Sequence, residues 1–268
     1  MSDLDLVTVC ESALCPNLRE CYAQRQLTFM ILGDRCTRSY RFCAVEHGRP
    51  EVVSDDEPER VAEAVSRLGL RHVVITSVAR DDLQDEGVCH FVNVMRAVRS
   101  HNLGVTIEVL VPNFHGRQDV IRHLLEEGRP DVFAHNVETI ERLSTLLRPQ
   151  ARYTRSLEVL HFAASSQAGS MIKSSVMVGL GETEDELLRT FADLVRVGVT
   201  HLTIGQYLRP DADHLPVMEY ISPERFSRYE QLAYGEGFAW VQAGPFVRSS
   251  YHAVDALEAR NSWSPVIP

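Results

Sequence analysis

Short apolar runs alternate with amphipathic segments along most of this chain, and that alternation restricts it to parallel βαβ units. Continuous apolar runs predict strands at Leu27–Gly33, His72–Ser77, Val105–Val111, Asp131–His135, Met171–Val178 and His201–Gln206. Apolar residues at helical spacing, as at Val61, Ala64, Val65 and Leu68, predict helices near Pro58–Leu68, Val88–Ser100, Asp119–Glu127, Thr139–Leu147 and Glu184–Val197. Such a sheet can be doubly wound or closed into a barrel. Polar residues collect just after the strands, at Asp34, Ser77, Asn113, Asn136, Glu182 and Gln206. Barrels build their sites at the C-terminal ends of many strands, whereas a doubly wound sheet uses one switch point. The expected fold is therefore an α/β barrel of about six strands.

No repeat, low-complexity tract or Pro/Gly/Ser linker divides the 268 residues, so a single domain is expected. The formal net charge of −10 argues against nucleic-acid binding and against attraction to anionic membranes. No apolar run approaches the ~18–20 residues that span a bilayer. Met1–Val9 is short and acidic, unlike a secretory signal or an Arg-rich transit peptide. A cytoplasmic protein without nucleic-acid or membrane partners is the expectation.

Five of the six cysteines lie between Cys10 and Cys43. Clustered cysteines in a reducing compartment read as metal ligands rather than disulfides. Cys10, Cys15 and Cys21 form C-x4-C-x5-C among charged and turn-forming neighbours, not in apolar strands. That spacing leaves two readings open, structural zinc and an iron–sulfur cluster; zinc favours tighter pairs and four ligands. Cys36 and Cys43 follow, with Tyr40 between them as C-x3-Y-x2-C. The pattern is one residue away from C-x3-C-x2-C, the loop that binds a cubane with one open iron in radical S-adenosylmethionine enzymes. Cys89 stands apart in the first turn of a predicted helix, as an ordinary small residue would. The eleven histidines are scattered without ligand spacing, and Arg248–Tyr251 by itself reads as a polar turn.

Seven segments in order carry a resemblance: VCESALCPNLRECY, TFMILGDRCTRSYRFCAVEHGRP, VVITSVARDDL, HNVET, MVGLGET, LTIGQYLRP with HLPV, and GPFVRSSYHA. From Val9 to about Ala253 the chain resembles the lipoyl synthases of the radical S-adenosylmethionine superfamily. The resemblance implies a partial (β/α)6 TIM-type barrel over residues 27–206. Extensions over 1–26 and 207–268 would carry an auxiliary iron–sulfur site. It implies two [4Fe–4S] clusters: an auxiliary one on Cys10, Cys15, Cys21 and Ser250, and a radical one on Cys36 and Cys43. Thr76, Ser77, Asn136, Glu138 and Glu182 would contact S-adenosylmethionine. The implied reaction inserts two sulfurs at C6 and C8 of an octanoyl-lysine, with the auxiliary cluster as the sulfur source. The implied partners are lipoyl carrier domains of 2-oxoacid dehydrogenase complexes or the glycine cleavage system, and a ferredoxin- or flavodoxin-type electron donor.

Tyr40 departs from the radical motif. A phenol with a reference pKa of about 10 ionises less readily than a thiol near about 8.5, and it offers hard oxygen where clusters take soft sulfur. The alternative to an enzyme is thus a non-catalytic paralogue that keeps the fold and the auxiliary cluster and binds octanoylated carriers. Only nine residues precede Cys10, fewer than family members usually carry, so altered substrate docking or closure over the auxiliary cluster is also expected.

Overall fold

The computed structural model describes residues 4–166 and 168–260, so the reading of Met1–Val9 falls partly outside it. One eight-stranded sheet runs in sequence order: β1 Val7–Thr8, β2 Thr28–Ile31, β3 His72–Ser77, β4 Thr106–Leu110, β5 Val132–Ala134, β6 Met171–Val178, β7 His201–Gln206 and β8 Trp240–Gly244. β1 is antiparallel to β2, and every later pairing is parallel. The order is linear, so the barrel stays open. The six expected strands are β2 to β7; β1 and β8 are additional, and β8 extends the sheet beyond residue 206.

Helices follow the strands: α1 Val9–Ser12, α2 Leu18–Ala23, α3 Glu57–Leu68, α4 Val88–His101, α5 Gln118–His123, α6 Glu141–Leu147, α7 Tyr153–Ser165, α8 Glu184–Arg196, α9 Pro223–Glu236 and α10 Ala253–Arg260. Local chemistry sets several ends. Pro58 sits in the first turn of α3, and Gly69 closes it in the left-handed region. Thr183 and Glu186 form a reciprocal capping box on α8. The helix expected at Asp119–Glu127 is α5 followed by a wider turn over Leu124–Gly128. That expected at Thr139 begins later, because Glu138 is held in a bridge to Val176 of β6.

The register sorts the strand residues into two faces. Outward-facing Phe29, Ile31, Ile75, Val109, Phe133 and Ile204 are buried in the core beneath the helices. The opposite row is far more polar. Thr28, Thr76, Glu108, Lys173, Ser175 and Thr203 face the barrel interior, and all are buried. The C-terminal half of that row borders a cavity, described below. Deeper in the row, Lys173 Nζ donates to both oxygens of Glu108, at 3.0 and 3.1 Å, with His72 Nε2 at 3.8 Å from the same carboxylate.

Burial acts to raise the Glu108 pKa, but the Lys173 ammonium and His72 outweigh it and hold the carboxyl below its ordinary value. A depressed carboxylate contributes stability that is present above its unfolded pKa of 4.5 and lost as pH falls through the folded value. Lys173→Met should therefore lower the unfolding free energy by about 3–5 kcal/mol near neutral pH, because it leaves a buried charge behind. The Glu108→Leu/Lys173→Met double variant should recover most of that loss in denaturant titrations, and its stability should depend less on pH below about 4.5.

Candidate iron–sulfur and cofactor site

Two segments from opposite ends of the chain meet to build the first part of the site. Cys10 lies on α1, Cys21 on α2 and Cys15 in the turn between them. All three line one pocket together with Ser250 and Thr28. The C-terminal segment reaches them because β7 carries a glycine: a Cβ at Gly205 would stand 2.1 Å from the Val247 carbonyl oxygen. Arg248 Nη1 then donates to the carbonyls of Gln206 and Val247 at 3.2 and 2.9 Å. Asn17 Nδ2 donates to Phe246 O at 2.5 Å, and Tyr251 Oη donates to Glu20 at 3.1 Å. Thr28 Oγ1 donates to Ser250 Oγ at 2.9 Å.

The thiols in this pocket sense one another. Burial, then the charges of Cys15, Cys10 and Glu20, push Cys21 up to about 11. Cys10 is raised mainly by burial, with hydrogen bonds from Thr28 opposing it. Without a cation these groups hold their protons; a bound metal centre reverses the balance. The three sulfurs are not all within 4.8 Å of one another; among the described residues, only Asp81, Glu86 and His115 form so tight a three-atom group. A zinc ion with bonds of about 2.3 Å needs sulfurs roughly 3.8 Å apart. Three spread thiols and a hydroxyl therefore fit a cubane better than a single zinc ion. At the Asp81 group the negative charge is already met, since the buried Arg38 forks onto Asp81 and His115 Nδ1 lies 2.9 Å from Glu86.

The second part is the loop after β2. It closes on itself through Cys36 N–H to Glu46 O and Gly48 N–H to Cys36 O, at 2.8 and 2.9 Å. Backbone N–H groups of Arg38 and Ala79 point at Cys36 Sγ from 3.4 and 3.3 Å. Cys43 is pushed up to about 11, first by burial and then by the charges of Cys36 and Glu138. Its carbonyl oxygen lies 3.0 Å from His214 Nε2, and Leu215 N–H donates to Arg41 O at 3.2 Å. The HLPV segment thus clamps the loop. Tyr40 stacks on Phe42 with ring centres 5.7 Å apart, and its hydroxyl accepts from Arg38 Nη1 at 3.3 Å. Arg38 is itself held by Asp81 and by Asn113 Oδ1 at 2.8 Å. The loop therefore presents two thiols and a fixed phenol.

Both parts open on one cavity of about 440 Å³, lined by Cys10, Cys15 and Ser250 as well as by Cys36, Tyr40 and Cys43. That volume suits a small organic ligand. Thr76, Ser77, Asn136 and Glu138 line it too, whereas Glu182 does not. The Glu182 carboxylate instead accepts the N–H groups of Gly179 and Leu180, at 2.6 and 2.9 Å. Thr76 Oγ1 is committed to Leu110 O at 2.8 Å. Ser77 Oγ and Asn136 Oδ1 are buried without a protein partner, which fits a polar ligand at this wall. Glu138 adopts φ 66° and is raised by burial, with Arg148 opposing.

Sequence reasoning missed two wall residues, Arg148 and His135. Arg148, 2% exposed, donates to Asn136 O at 3.1 Å and to Ser156 Oγ at 3.2 Å, and its Nε has no partner. His135 is lowered to about 3 by burial, so it is neutral; its Nδ1–H donates to Val111 O and its Nε2 accepts from Ser156. Arg38, buried on the loop beside them, was missed as well. Nothing in the local pattern separates these residues from solvated ones. Cys89 is exposed on α4, with its N–H bonded to Asp85, and does not line the cavity.

The radical SAM superfamily model matches residues 30–194. The lipoyl synthase of Rubrobacter xylanophilus is 52% identical over 258 residues, covering 96% of this chain and 80% of that protein. The lipoyl synthase of Caldanaerobacter subterraneus is 51% identical over 253 residues, covering 94% of this chain and 88% of that one. The chain belongs to the lipoyl synthase family. Among solved structures, methylornithine synthase superposes with a TM-score of 0.61 at 15% identity, over 77% of this chain and 61% of its own. Streptococcus suis SuiB bound to S-adenosylmethionine gives 0.62 at 9% identity, over 86% and 54%. These likenesses show a shared fold. Among the described residues, no helix is long and apolar enough to cross a membrane.

For this family member, anaerobic reconstitution of a Cys15→Ala variant should yield about four fewer irons per chain than the native protein, one cubane's worth. Cys36→Ala should leave the auxiliary signal intact in Mössbauer spectra. Unchanged iron in Cys15→Ala would remove the N-terminal triplet from the ligand set.

Proposed function

We propose that this lipoyl synthase family member serves the insertion of two sulfur atoms at C6 and C8 of an octanoyl-lysine on a lipoyl carrier domain. The radical source is S-adenosylmethionine, and the setting is the cytoplasm. The carriers are those of 2-oxoacid dehydrogenase complexes or the glycine cleavage system, and a ferredoxin- or flavodoxin-type protein supplies electrons. One observation carries the reading: Cys10, Cys15 and Ser250 share a single cavity with Cys36 and Cys43.

Cys10, Cys15, Cys21 and Ser250 would hold the auxiliary [4Fe–4S] cluster, which when bound supplies the sulfur atoms. The chain's own residues do the rest of the work on that side. Asn17 and Tyr251 hold the two end segments together, and Thr76 and Ser175 of the interior row wall the cavity. Thr76, Ser77, Asn136 and Glu138 stand where S-adenosylmethionine would be bound, and Ser77 Oγ and Asn136 Oδ1 are free to bond it. Glu182 supports this wall from behind, by fixing the turn after β6.

The donor set of the other loop does not fit its group. Cys36 and Cys43 supply two thiolates, and Tyr40 supplies a phenol tied to Arg38. That mismatch favours a second reading, a non-catalytic paralogue that binds octanoylated carriers without converting them. Tyr40→Cys separates the two. On the enzyme reading it should raise formation of 5′-deoxyadenosine from S-adenosylmethionine at least about tenfold, or ~1.4 kcal/mol. Mass spectrometry should then show two added sulfurs on an octanoylated carrier domain. If Tyr40→Cys binds the carrier but forms neither product, the paralogue reading stands. If the native chain already matches Tyr40→Cys, the phenol is no defect.

A further inference from the structure

We infer that Thr28 is the positioning residue for Ser250: its buried hydroxyl donates to the serine oxygen and aims it into the pocket shared with Cys10, Cys15 and Cys21. This rests on reading that pocket as the auxiliary cluster site. Thr28 opens β2, pairs with Val74 of β3 and is 2% exposed. Its side chain is β-branched, hence stiff about χ1, and it stands on a strand. Ser250 is only partly buried, in the turn after Val247, and has one side-chain torsion with three staggered choices. Among the described residues, its side-chain hydrogen bond is to Thr28 Oγ1, at 2.9 Å. The rigid partner therefore fixes the mobile one.

The direction of the bond matters as well as its presence. A threonine hydroxyl has one proton to give. Given to Ser250 Oγ, it favours the oxygen's negative form, which is the form that binds iron strongly. Ligand atoms held by such outer partners lose about 10–100-fold in metal affinity when the partner is removed. A hydroxyl among three thiols is the weakest donor of the set, so its support has the most to lose. Valine is the shape-matched replacement that lacks the proton.

The test uses the full chain carrying Cys36→Ala and Cys43→Ala, reconstituted anaerobically with ⁵⁷Fe and sulfide, so that cluster iron belongs to the auxiliary pocket. Iron loss to a ferrous chelator and the Mössbauer spectrum are recorded. Thr28→Val should speed iron loss at least about tenfold and alter the doublet of one iron, while Thr28→Ser should behave like its parent. In a Ser250→Ala background, Thr28→Val should accelerate iron loss several-fold less than it does in the parent, the remainder coming from the contact of Thr28 with Cys10. Parent-like behaviour of Thr28→Val overturns the inference. So does equal acceleration with and without Ser250, which would mean that Thr28 acts through Cys10 or through packing. If Ser250→Ala itself changes neither rate nor spectrum, the ligand assignment fails and the inference falls with it.

Discussion

The open edge of the sheet is the constraint on which the site depends. Strand order runs from β1 to β8 without closing, so the segments flanking the two ends must complete the barrel mouth. They do so by bonding to each other: Asn17 to Phe246 O, Tyr251 to Glu20, and Thr28 to Ser250. A closed barrel would leave no route for the C-terminal segment to approach the N-terminal cysteines. Gly205 permits the last step, because a side chain there would displace Val247. The three thiols and the hydroxyl are thus a product of topology, assembled from pieces that have little local reason to be near one another.

The interior face of the same sheet explains how charge is handled. A (β/α) barrel with an entirely apolar interior would offer nothing to a polar ligand. Here the deep end of the interior holds the Glu108–Lys173 pair, and the cavity end holds Arg148 and neutral His135, with the buried Arg38 on the loop beside them. Buried guanidinium groups are tolerated because carboxylates, carbonyls and hydroxyls meet most of their protons. Arg38 links the buried charge to the cysteine loop. Through Asp81 and Asn113 it anchors the loop carrying Cys36 and Cys43, and its second Nη1 proton reaches Tyr40. The phenol is therefore locked in place rather than free to move aside.

The strands were legible where both period and length were plain. β3, β6 and β7 begin and end where continuous apolar runs place them. β1 has two residues, and β8 has five with neither alternation nor a continuous apolar run, too little signal for either. α7 went unread because Ser156 interrupts its buried row of Tyr153, Val159, Leu160 and Ala163. The cysteine groups stood out because they cluster in the sequence, and the fold brings Cys10, Cys15 and Cys21 to one pocket and Cys36 and Cys43 to one cavity. Ser250 was visible only through resemblance, since its partner Thr28 is 222 positions away. Arg38, His135 and Arg148 were invisible for a related reason: tertiary contacts bury them, and no neighbouring residue signals it. Glu182 sits at a strand end as expected, but the turn it caps takes up its carboxylate.

The central claim is that this chain has a complete auxiliary ligand set beside a loop short of one thiolate. Iron and sulfide counting on the reconstituted native chain after a brief chelator challenge tests it most directly. About four irons and four sulfides should be retained per chain, rising to about eight of each in Tyr40→Cys. Retention of about eight irons by the native chain, or of none, would contradict it.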